Sequence, residues 1–286
     1  MHNQDQIEFW NGPGGQKWVT HNSMMERLLH NVGIRVMDAL ALVPGEKVMD
    51  IGCGCGNQTL DLARRVGKQG QVVGVDISAP MLELASALHT AAAEEEEISD
   101  VYYVEADASE HEFIDDHFDV LFSRFGVMFF DEPVGAFKNL RSSMRSGGRL
   151  GFVCWQAAPL NPFMSVPMQA ALKVLPAPEP MPPGAPGPFA FADAGYVASI
   201  LSSAGFDNIN VDSLNMPLHF GAGHAFDAAC DELIEMGPIS RLLNDADPSL
   251  RASAAESVRA ALKAHYHAET GLTFEGRFWL VQARNS

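Results

Sequence analysis

Val48-Met49-Asp50-Ile51-Gly52-Cys53-Gly54-Cys55-Gly56-Asn57 joins an apolar run to a loop that has glycine at every second position. The residues that follow, Thr59-Leu60-Asp61-Leu62-Ala63, have the apolar spacing of a helix. The stretch therefore predicts a strand, a tight turn and a helix start. Such a turn lets backbone approach a ligand closely, because glycine has no Cβ and tolerates positive φ, and the helix N-terminus offers unpaired N–H groups. An ordinary strand-to-helix turn without a ligand is the alternative.

Two carboxylates follow the next two predicted strands. The run from Gln71 to Asp76 is a strand of buried type that ends in a carboxylate, 24 positions after Gly52. In nucleotide-binding α/β folds, a carboxylate at this place accepts hydrogen bonds from ribose hydroxyls. Asp107 follows the third strand, and a carboxylate there can accept from an adenine amino group. Together they predict a ligand that contains adenosine.

The spacing of the glycines narrows the choice of ligand. They fall as G-x-G-x-G, whereas the dinucleotide fingerprint requires G-x-G-x-x-G with its third glycine packed against the helix. The sequence also has no Tyr-x-x-x-Lys, the catalytic pair expected of a short-chain nicotinamide reductase. The pattern favours an adenosine ligand other than a dinucleotide. An NAD(P)-dependent oxidoreductase on a similar sheet is the alternative enzyme class.

Composition and charge limit the class of protein. With 286 residues, 47% of them hydrophobic and 19% charged, the chain can bury a sizeable core. A formal net charge of −17 argues against nucleic acid or an anionic membrane surface as a partner, since both require basic patches. The first residues show no leader pattern and no run of eighteen apolar residues occurs, so we expect a cytoplasmic protein. The sequence makes no prediction of the oligomeric state.

With these motifs, the chain resembles the class I S-adenosylmethionine-dependent methyltransferases, in particular the ubiquinone/menaquinone-biosynthesis C-methyltransferases. The matching segments are Asp50 to Gly56, Val75 to Leu82, Asp107-Ala108, Phe118 to Arg124, and Gly147 to Leu150. They cover residues 45–155 in the order that the family has them. The combination is far more specific than any single motif.

The alternation of strand and helix patterns predicts an α/β fold with a doubly wound, mostly parallel sheet. The resemblance implies a seven-stranded, Rossmann-like methyltransferase sheet with an antiparallel last strand and a helical insertion that binds the acceptor. We expect a helical cover at 1–44, the cofactor-binding core at 45–155, a proline-rich lid with a helix and the sixth strand at 156–222, and inserted helices with the closing strand at 223–286.

The resemblance implies S-adenosylmethionine as the cofactor. The glycine loop then holds its methionine part, Asp76 its ribose, and Asp107 with Ala108 its adenine. The full set of expected cofactor-binding residues is Trp18, Asp50, Gly52, Cys53, Gly54, Gly56, Asp76, Ile77, Met81, Asp107, Ala108 and Ser123.

The chemistry requires little of the protein, because methyl transfer from a sulfonium is an in-line displacement that depends mainly on holding the acceptor close to the methyl carbon. A base is needed only when the acceptor must lose a proton. The candidate catalytic residues are His21 and Arg124, the latter as a group that orients an anionic acceptor or the cofactor carboxylate. For His21, the alternative is a histidine that serves only at the start of a helix.

Aromatic and methionine residues near the ends of the predicted strands suggest an apolar acceptor pocket, since ligands of open α/β sheets bind there. The expected pocket residues are Trp10, Phe125, Met128, Phe129, Trp155 and Phe163. The N-terminal segment that contains Trp10 and Trp18 is expected to cover the cofactor and exclude water. Alternatively, both tryptophans only anchor this segment to the sheet.

The predicted function is methyl transfer to an O, N or C atom of a small, apolar or aromatic metabolite. A binding protein for S-adenosylmethionine without catalysis is the second alternative. We expect no metal site, because the four cysteines have neither zinc spacing nor the pattern of a disulfide framework. Arsenic methylation by Cys53 and Cys55 is a further alternative, although small residues that fit a tight turn explain the C-x-C more simply.

Overall fold

Strands and helices alternate along most of the chain in the computed structural model, which describes residues 3–178, 182 and 184–286. The strands are β1 (Lys47–Ile51), β2 (Gln71–Asp76), β3 (Asp100–Glu105), β4 (Phe118–Arg124), β5 (Met144–Trp155), β6 (Asp207–Phe220), β7 (Tyr266–His267) and β8 (Gly271–Asn285). The helices are α1 (Gln4–Asn11), α2 (Pro13–Thr20), α3 (Asn22–Leu40), α4 (Asn57–Val66), α5 (Ala79–Glu95), α6 (Pro133–Ser142), α7 (Pro162–Ala171), α8 (Ala194–Ser203), α9 (Phe226–Ile234), α10 (Gly237–Asn244) and α11 (Pro248–Leu262).

All eight strands form one sheet. Seven of them follow the order β3-β2-β1-β4-β5-β8-β6, and the two-residue β7 pairs with β8 outside this path. The strand pairs from β3 through β5 are parallel. The strand order reverses between β1 and β4, and such a switch point opens a crevice at the carboxyl ends of the two strands.

Strand β8 runs antiparallel to its neighbour β5. The Asn285 side chain, at the end of β8, donates to the backbone oxygen of Met144 at the start of β5. At the other end of the pair, the backbone N–H of Gln156 donates to the backbone oxygen of Arg277. The predicted fold class, a mostly parallel sheet with an antiparallel last strand, is thereby confirmed.

Helix α3 covers one face of the sheet beside β4 and β5. Its apolar residues recur at spacings of three and four, so that one side of the helix is buried. These buried residues include Met25, Leu29, Val32, Val36 and Leu40. The helix thereby leads directly into β1 and places its N-terminal half near the carboxyl ends of the strands.

The start of β5 differs from the expectation. The pattern of apolar residues predicts a helix that runs to Met144 and ends at Gly147-Gly148. In the structure α6 ends at Ser142 and Met144 already pairs with Phe118. The register then shifts, so that Val120 pairs with Arg149 and Gly147, with a φ of +80°, lies in the irregular part of the strand. A glycine pair that is typical of a helix end here serves a bulge instead.

The chain divides into two compact units. The first consists of residues 1–155, 184–213 and 279–286, and the second of residues 156–183 and 214–278. The first unit contains β1 to β5 and all the motifs that carry the resemblance. In the second unit, α9, α10 and α11 lie within the stretch that the sequence predicts to be helical.

Of the proline-rich segment predicted as a lid, residues 179–181 and 183 lie outside the described residues. Gly187, near its end, donates its backbone N–H to the backbone oxygen of Met128 at 3.1 Å. No helix in the described part of the chain combines the length and the apolar character needed to cross a membrane.

Candidate cofactor site

The glycine turn between β1 and α4 is tightly packed at its first and last glycines. Gly52, Gly54 and Gly56 have φ values of +66°, +56° and +78°, a region that favours glycine. A Cβ on Gly52 would lie 2.6 Å from the Cα of Gly126, and one on Gly56 would lie 2.6 Å from the hydroxyl of Tyr103. The backbone conformation favours glycine at all three positions, and the available space also requires it at Gly52 and Gly56.

Asp76 organises the turn from the end of β2. Its Oδ2 accepts the backbone N–H of Gly54 at 2.8 Å, and its Oδ1 accepts the backbone N–H of Ser78 at 2.9 Å. The residue is 8% exposed, and burial raises the pKa of Asp76 to about 6 against the opposing effect of these hydrogen bonds. Each carboxylate oxygen retains a further lone pair, so the group can still accept from a ligand.

Asp50 lies below the turn, in β1, and is 1% exposed. Its Oδ2 accepts the hydroxyl of Thr59 at 2.7 Å. Burial raises the pKa of Asp50 to about 7, whereas the Thr59 hydrogen bond and the charge of Arg124 lower it. Since the group is buried beneath the loop, its role is to brace α4 against β1, and a direct cofactor contact stays a prediction.

This raised pKa predicts how stability depends on pH. The folded chain holds a proton on Asp50 up to about pH 7, whereas the unfolded chain releases it near pH 3.8, so stability should fall as the pH rises through this window. Titration of Asp50 should lower the unfolding free energy of the wild type by about 3 kcal/mol between pH 5 and pH 8. In Asp50→Asn this part of the decrease should be absent. Denaturant unfolding at pH 5 and at pH 8 measures the unfolding free energy of each variant. The exposed Asp38→Asn variant is the control, and equal pH dependence in the two variants would contradict the prediction.

On the adenine side of the predicted site, Asp107 is held by its neighbours. Its Oδ1 accepts the backbone N–H and the hydroxyl of Ser109, and its Oδ2 accepts the side-chain amide of Asn3 at 3.0 Å. Ala108 is buried beside it, and its backbone oxygen accepts the Asn139 amide at 3.2 Å. A ligand that used Asp107 would share it with the N-terminal segment or displace that contact.

The end of β4 carries a strained residue. Phe125 has a φ of +67°, which non-glycine residues rarely adopt and which often marks functional sites. Its ring stacks on Trp155 with a centroid distance of 4.8 Å and an interplanar angle of 10°. The Ser123 hydroxyl donates to the backbone oxygen of Ile51 at 2.7 Å and accepts the N–H of Gly126. Ser123 therefore ties β4 to β1, and its predicted cofactor contact stays a prediction.

The remaining predicted pocket residues are distributed over both units. Met128 is 1% exposed, and the ring of Phe129 meets Trp10 edge to face at 5.2 Å. Phe163 belongs to the second unit, where its ring packs against Phe220 at 5.5 Å. The first unit therefore brings Trp10, Phe129, Phe125 and Trp155 to the ends of β4 and β5, and a pocket role for each stays a prediction.

The N-terminal helices contact the loops that follow β2 and β3. The backbone oxygen of Trp10 accepts the Ser78 hydroxyl at 2.6 Å, and the Asn11 amide donates to the backbone oxygen of Ile77 at 2.7 Å. Trp18 is half-buried in α2, and His21 lies at the junction of α2 and α3. These contacts place the segment where a cover would lie. They do not assign a catalytic role to His21.

Arg124 takes part in a polar network that the sequence patterns did not predict. Its Nη2 donates to Glu26 Oε2 in α3 at 3.0 Å. Glu26 Oε1 also accepts the Gln58 amide of α4 at 3.1 Å and lies 2.8 Å from the His30 ring nitrogen. The sequence pointed to a role for Glu26 only in one way, because Glu26 is a charged residue among the apolar residues of α3.

Asp61 extends this network on α4. Its Oδ1 accepts from Arg64 at 3.0 Å, and its Oδ2 lies 3.3 Å from the His30 ring nitrogen. Burial raises the pKa of Asp61. Glu26, His30 and Asp61 have ligand-type atoms within 4.8 Å of one another, but Arg124 and Arg64 already neutralise the two carboxylates. The arrangement is that of an ion-pair network.

The cysteines of the turn are buried thiols. Burial, followed by the charge of Asp76, raises the pKa of Cys55 to about 12 and that of Cys53 well above its ordinary value. Both thiols therefore stay protonated at neutral pH, whereas the thiolate is the form that binds soft ions. This favours the interpretation that the C-x-C consists of small residues that fit the turn.

The residues present fit the cofactor that the resemblance implies. The glycine turn leaves no room for side chains where backbone must approach a ligand, and the Asp76 carboxylate lies directly beside it. Among the described residues, nothing accepts a hydrogen bond from the buried Nη1 of Arg124. An anionic group such as the cofactor carboxylate would supply that missing acceptor.

The sequence model of the ubiE/COQ5 methyltransferase family matches residues 16–181, more than half of the 286 residues. The chain belongs to this family. The expectation of a class I methyltransferase of the ubiquinone-biosynthesis type is thus confirmed, and the oxidoreductase alternative loses its support.

Two curated relatives of this ubiE/COQ5 family member are each similar to about half of the chain. Aklanonic acid methyltransferase DauC of Streptomyces sp. (strain C5) is 34% identical over 137 residues, which are 48% of this chain and 60% of that protein. The ubiquinone/menaquinone biosynthesis C-methyltransferase UbiE of Vibrio parahaemolyticus is 30% identical over 151 residues, 52% of this chain and 57% of that protein. The chain thus spans less than two thirds of either relative.

Among solved structures, the YcgJ protein of Bacillus subtilis superimposes with a TM-score of 0.56. The match covers 90% of this chain and 98% of that one at 17% sequence identity. At this identity, the likeness shows the shared fold alone.

Proposed function

We propose that this ubiE/COQ5 family member transfers a methyl group from S-adenosylmethionine to a small, apolar or aromatic metabolite. The observation that carries the proposal is the glycine turn at the switch point of the sheet, with the Asp76 carboxylate bonded to its Gly54 N–H. Asp76 would accept from the ribose, and Asp107 from the adenine. The family supports the reaction type, and the site supports the cofactor.

An aromatic or otherwise apolar acceptor is supported by the residues at the ends of β4 and β5. Phe125 and Trp155 present a stacked pair there, and Trp10 with Phe129 forms a second aromatic contact. Aromatic faces of this kind bind flat apolar molecules well. The two relatives are named for aklanonic acid and for ubiquinone/menaquinone biosynthesis, which fits an acceptor of this class.

In the proposed reaction, the residues of the chain position and shield the reactants. The bound cofactor supplies an electrophilic methyl group on its sulfonium. Helix α1 and the residue before it, held by Ser78, Ile77 and Asp107, would exclude water from the carboxyl ends of β2 and β3. The ring of Phe125 stacks on Trp155, and this aromatic wall would help to hold the acceptor atom about 3–3.5 Å from the methyl carbon.

The proposal is tested by incubating the chain with S-adenosylmethionine labelled in its methyl group and a panel of phenols, quinols, amines, thiols, carboxylates and arsenite. Label should move to one aromatic or apolar class, and cofactor retained on the protein is recorded in the same samples. The negative control is the Gly52→Ala variant, whose added Cβ would overlap with Gly126, and it should retain no label.

The acceptor that receives the label distinguishes the proposed reaction from arsenic methylation and from cofactor binding without catalysis. Label in phenols or quinols supports the proposal, whereas label in arsenite would revive a role for Cys53 and Cys55. Cofactor that is retained but transferred to no acceptor class would favour a non-catalytic binding protein. If the wild-type chain retains no label at all, the proposed cofactor is wrong.

A further inference from the structure

Two buried polar groups lie against the same glycine of α3. A Cβ built on Gly33 would be 1.6 Å from Gln58 Oε1 and 3.2 Å from Arg124 Cδ. Within the described part of the chain, neither Gln58 Oε1 nor Arg124 Nη1 has a hydrogen-bond partner. Gln58 is 3% exposed, and the Arg124 side chain is 12% exposed. A buried acceptor and a buried donor are thus unsatisfied on two side chains that both border Gly33, which is costly unless a ligand supplies their hydrogen bonds.

Both groups belong to elements that border the proposed cofactor site. Gln58 is the second residue of α4, directly after the glycine turn, and Arg124 is the last residue of β4 at the switch point. The N-terminus of α4 adds the positive end of the helix dipole. The site combines a guanidinium donor with an amide acceptor, which matches a zwitterionic amino-acid group that has both a carboxylate and an ammonium.

We propose that Arg124 and Gln58 recognise the amino-acid end of S-adenosylmethionine, with Arg124 Nη1 donating to its carboxylate and Gln58 Oε1 accepting from its ammonium. This rests on the proposed function. Each group keeps its present bonds to Glu26 through its other nitrogen, Nη2 of Arg124 at 3.0 Å and Nε2 of Gln58 at 3.1 Å. Both atoms are buried and have no partner within the described part of the chain, so a ligand that binds there would supply the missing hydrogen bonds.

Glu26 is then a positioning residue. One of its oxygens binds Arg124, and the other binds Gln58 and the His30 ring nitrogen. Through Glu26, α3 aligns a donor from β4 with an acceptor from α4. Gly33 contributes the space, since any side chain there would overlap with Gln58 Oε1.

The test compares three ligands by isothermal titration calorimetry. S-adenosylmethionine carries both groups, its decarboxylated form retains only the ammonium, and 5′-deoxy-5′-methylthioadenosine lacks both. Arg124→Met should weaken binding of S-adenosylmethionine by about tenfold to a hundredfold, as expected for a hydrogen bond between charged groups, and change the other two ligands less than about twofold. Gln58→Leu should weaken both ligands that carry the ammonium and leave the third unchanged.

A matched pair of variants tests the positioning role. Glu26→Gln retains one acceptor and should give an affinity for S-adenosylmethionine between those of the wild type and Arg124→Met. Because Glu26 also positions Gln58, the variant should weaken the decarboxylated form as well and leave 5′-deoxy-5′-methylthioadenosine unchanged. Glu46→Gln perturbs another buried carboxylate–arginine pair of the same unit, with Arg149 at 2.6 Å, and should leave all three affinities unchanged.

The outcomes separate this inference from the proposed function. If Arg124→Met and Gln58→Leu weaken all three ligands equally, their role is structural and the inference is wrong. The inference also fails if neither variant changes any affinity. If the wild-type chain binds none of the three ligands, the proposed function itself fails.

Discussion

Asp76→Ala is expected to weaken the binding of S-adenosylmethionine by about tenfold or more, because the variant loses a hydrogen bond to a charged acceptor. The structure adds a reason that the sequence alone did not offer. Asp76 accepts the N–H groups of Gly54 and Ser78, so its removal frees the glycine turn as well as the ribose acceptor. Calorimetric titration of the wild type and the variant measures the loss.

A second ligand distinguishes the ribose contact from other contacts. Because 5′-deoxy-5′-methylthioadenosine has the same ribose, Asp76→Ala should weaken both ligands, and S-adenosylmethionine at least as much as the shorter ligand because the glycine turn is also freed. A loss confined to S-adenosylmethionine would mean that Asp76 acts on the methionine part instead. Circular dichroism and thermal unfolding of the variant establish that it folds.

The titration of Asp76 gives the same test in the wild-type chain. Burial raises its pKa to about 6, and the ionised form is the better acceptor for ribose hydroxyls. Affinity should therefore decrease as the pH falls below about 6, and the decrease should be absent in Asp76→Ala. A flat profile in the wild type would contradict the ribose assignment.

Much of the fold was predictable because its determinants are local. The buried strand pattern of β1, the glycine turn and the carboxylate at the end of β2 lie close together in the sequence, and each reports on its own backbone. The parallel order then follows from the alternation of strands and helices. The predicted helix end at Gly147-Gly148 was wrong. The apolar spacing of three and four continues from α6 to Met144, but in the structure Met144 pairs with Phe118 and begins β5.

The site was predictable to a smaller extent. The sequence motifs indicate Asp76 and Asp107, but their partners come from distant segments, such as Asn3 in the case of Asp107. The Glu26 network connects α3, α4 and β4 through contacts between residues up to 98 positions apart. No periodicity encodes such contacts, since they arise only when the helices pack on the sheet.

Gly52→Ala is expected to have the second large effect, both on stability and on cofactor binding. An alanine at a φ of +66° costs about 1–2 kcal/mol in backbone strain. Its Cβ would also lie 2.6 Å from the Cα of Gly126, and relief of such a backbone overlap costs roughly 1–3 kcal/mol more. Since the turn must shift away from the end of β4, the variant should also lose measurable binding of S-adenosylmethionine.

Gly147→Ala is a matched control, because Gly147 has a φ of +80° but no atom lies within 4 Å of an added Cβ. It should lose only the strain component, about 1–2 kcal/mol, and bind the cofactor as the wild type does. Denaturant unfolding and calorimetry on both variants separate strain from overlap. Equal losses of stability would show that conformation alone requires Gly52. Cofactor binding retained by Gly52→Ala would mean that the close approach of β1 and β4 is not what shapes the site.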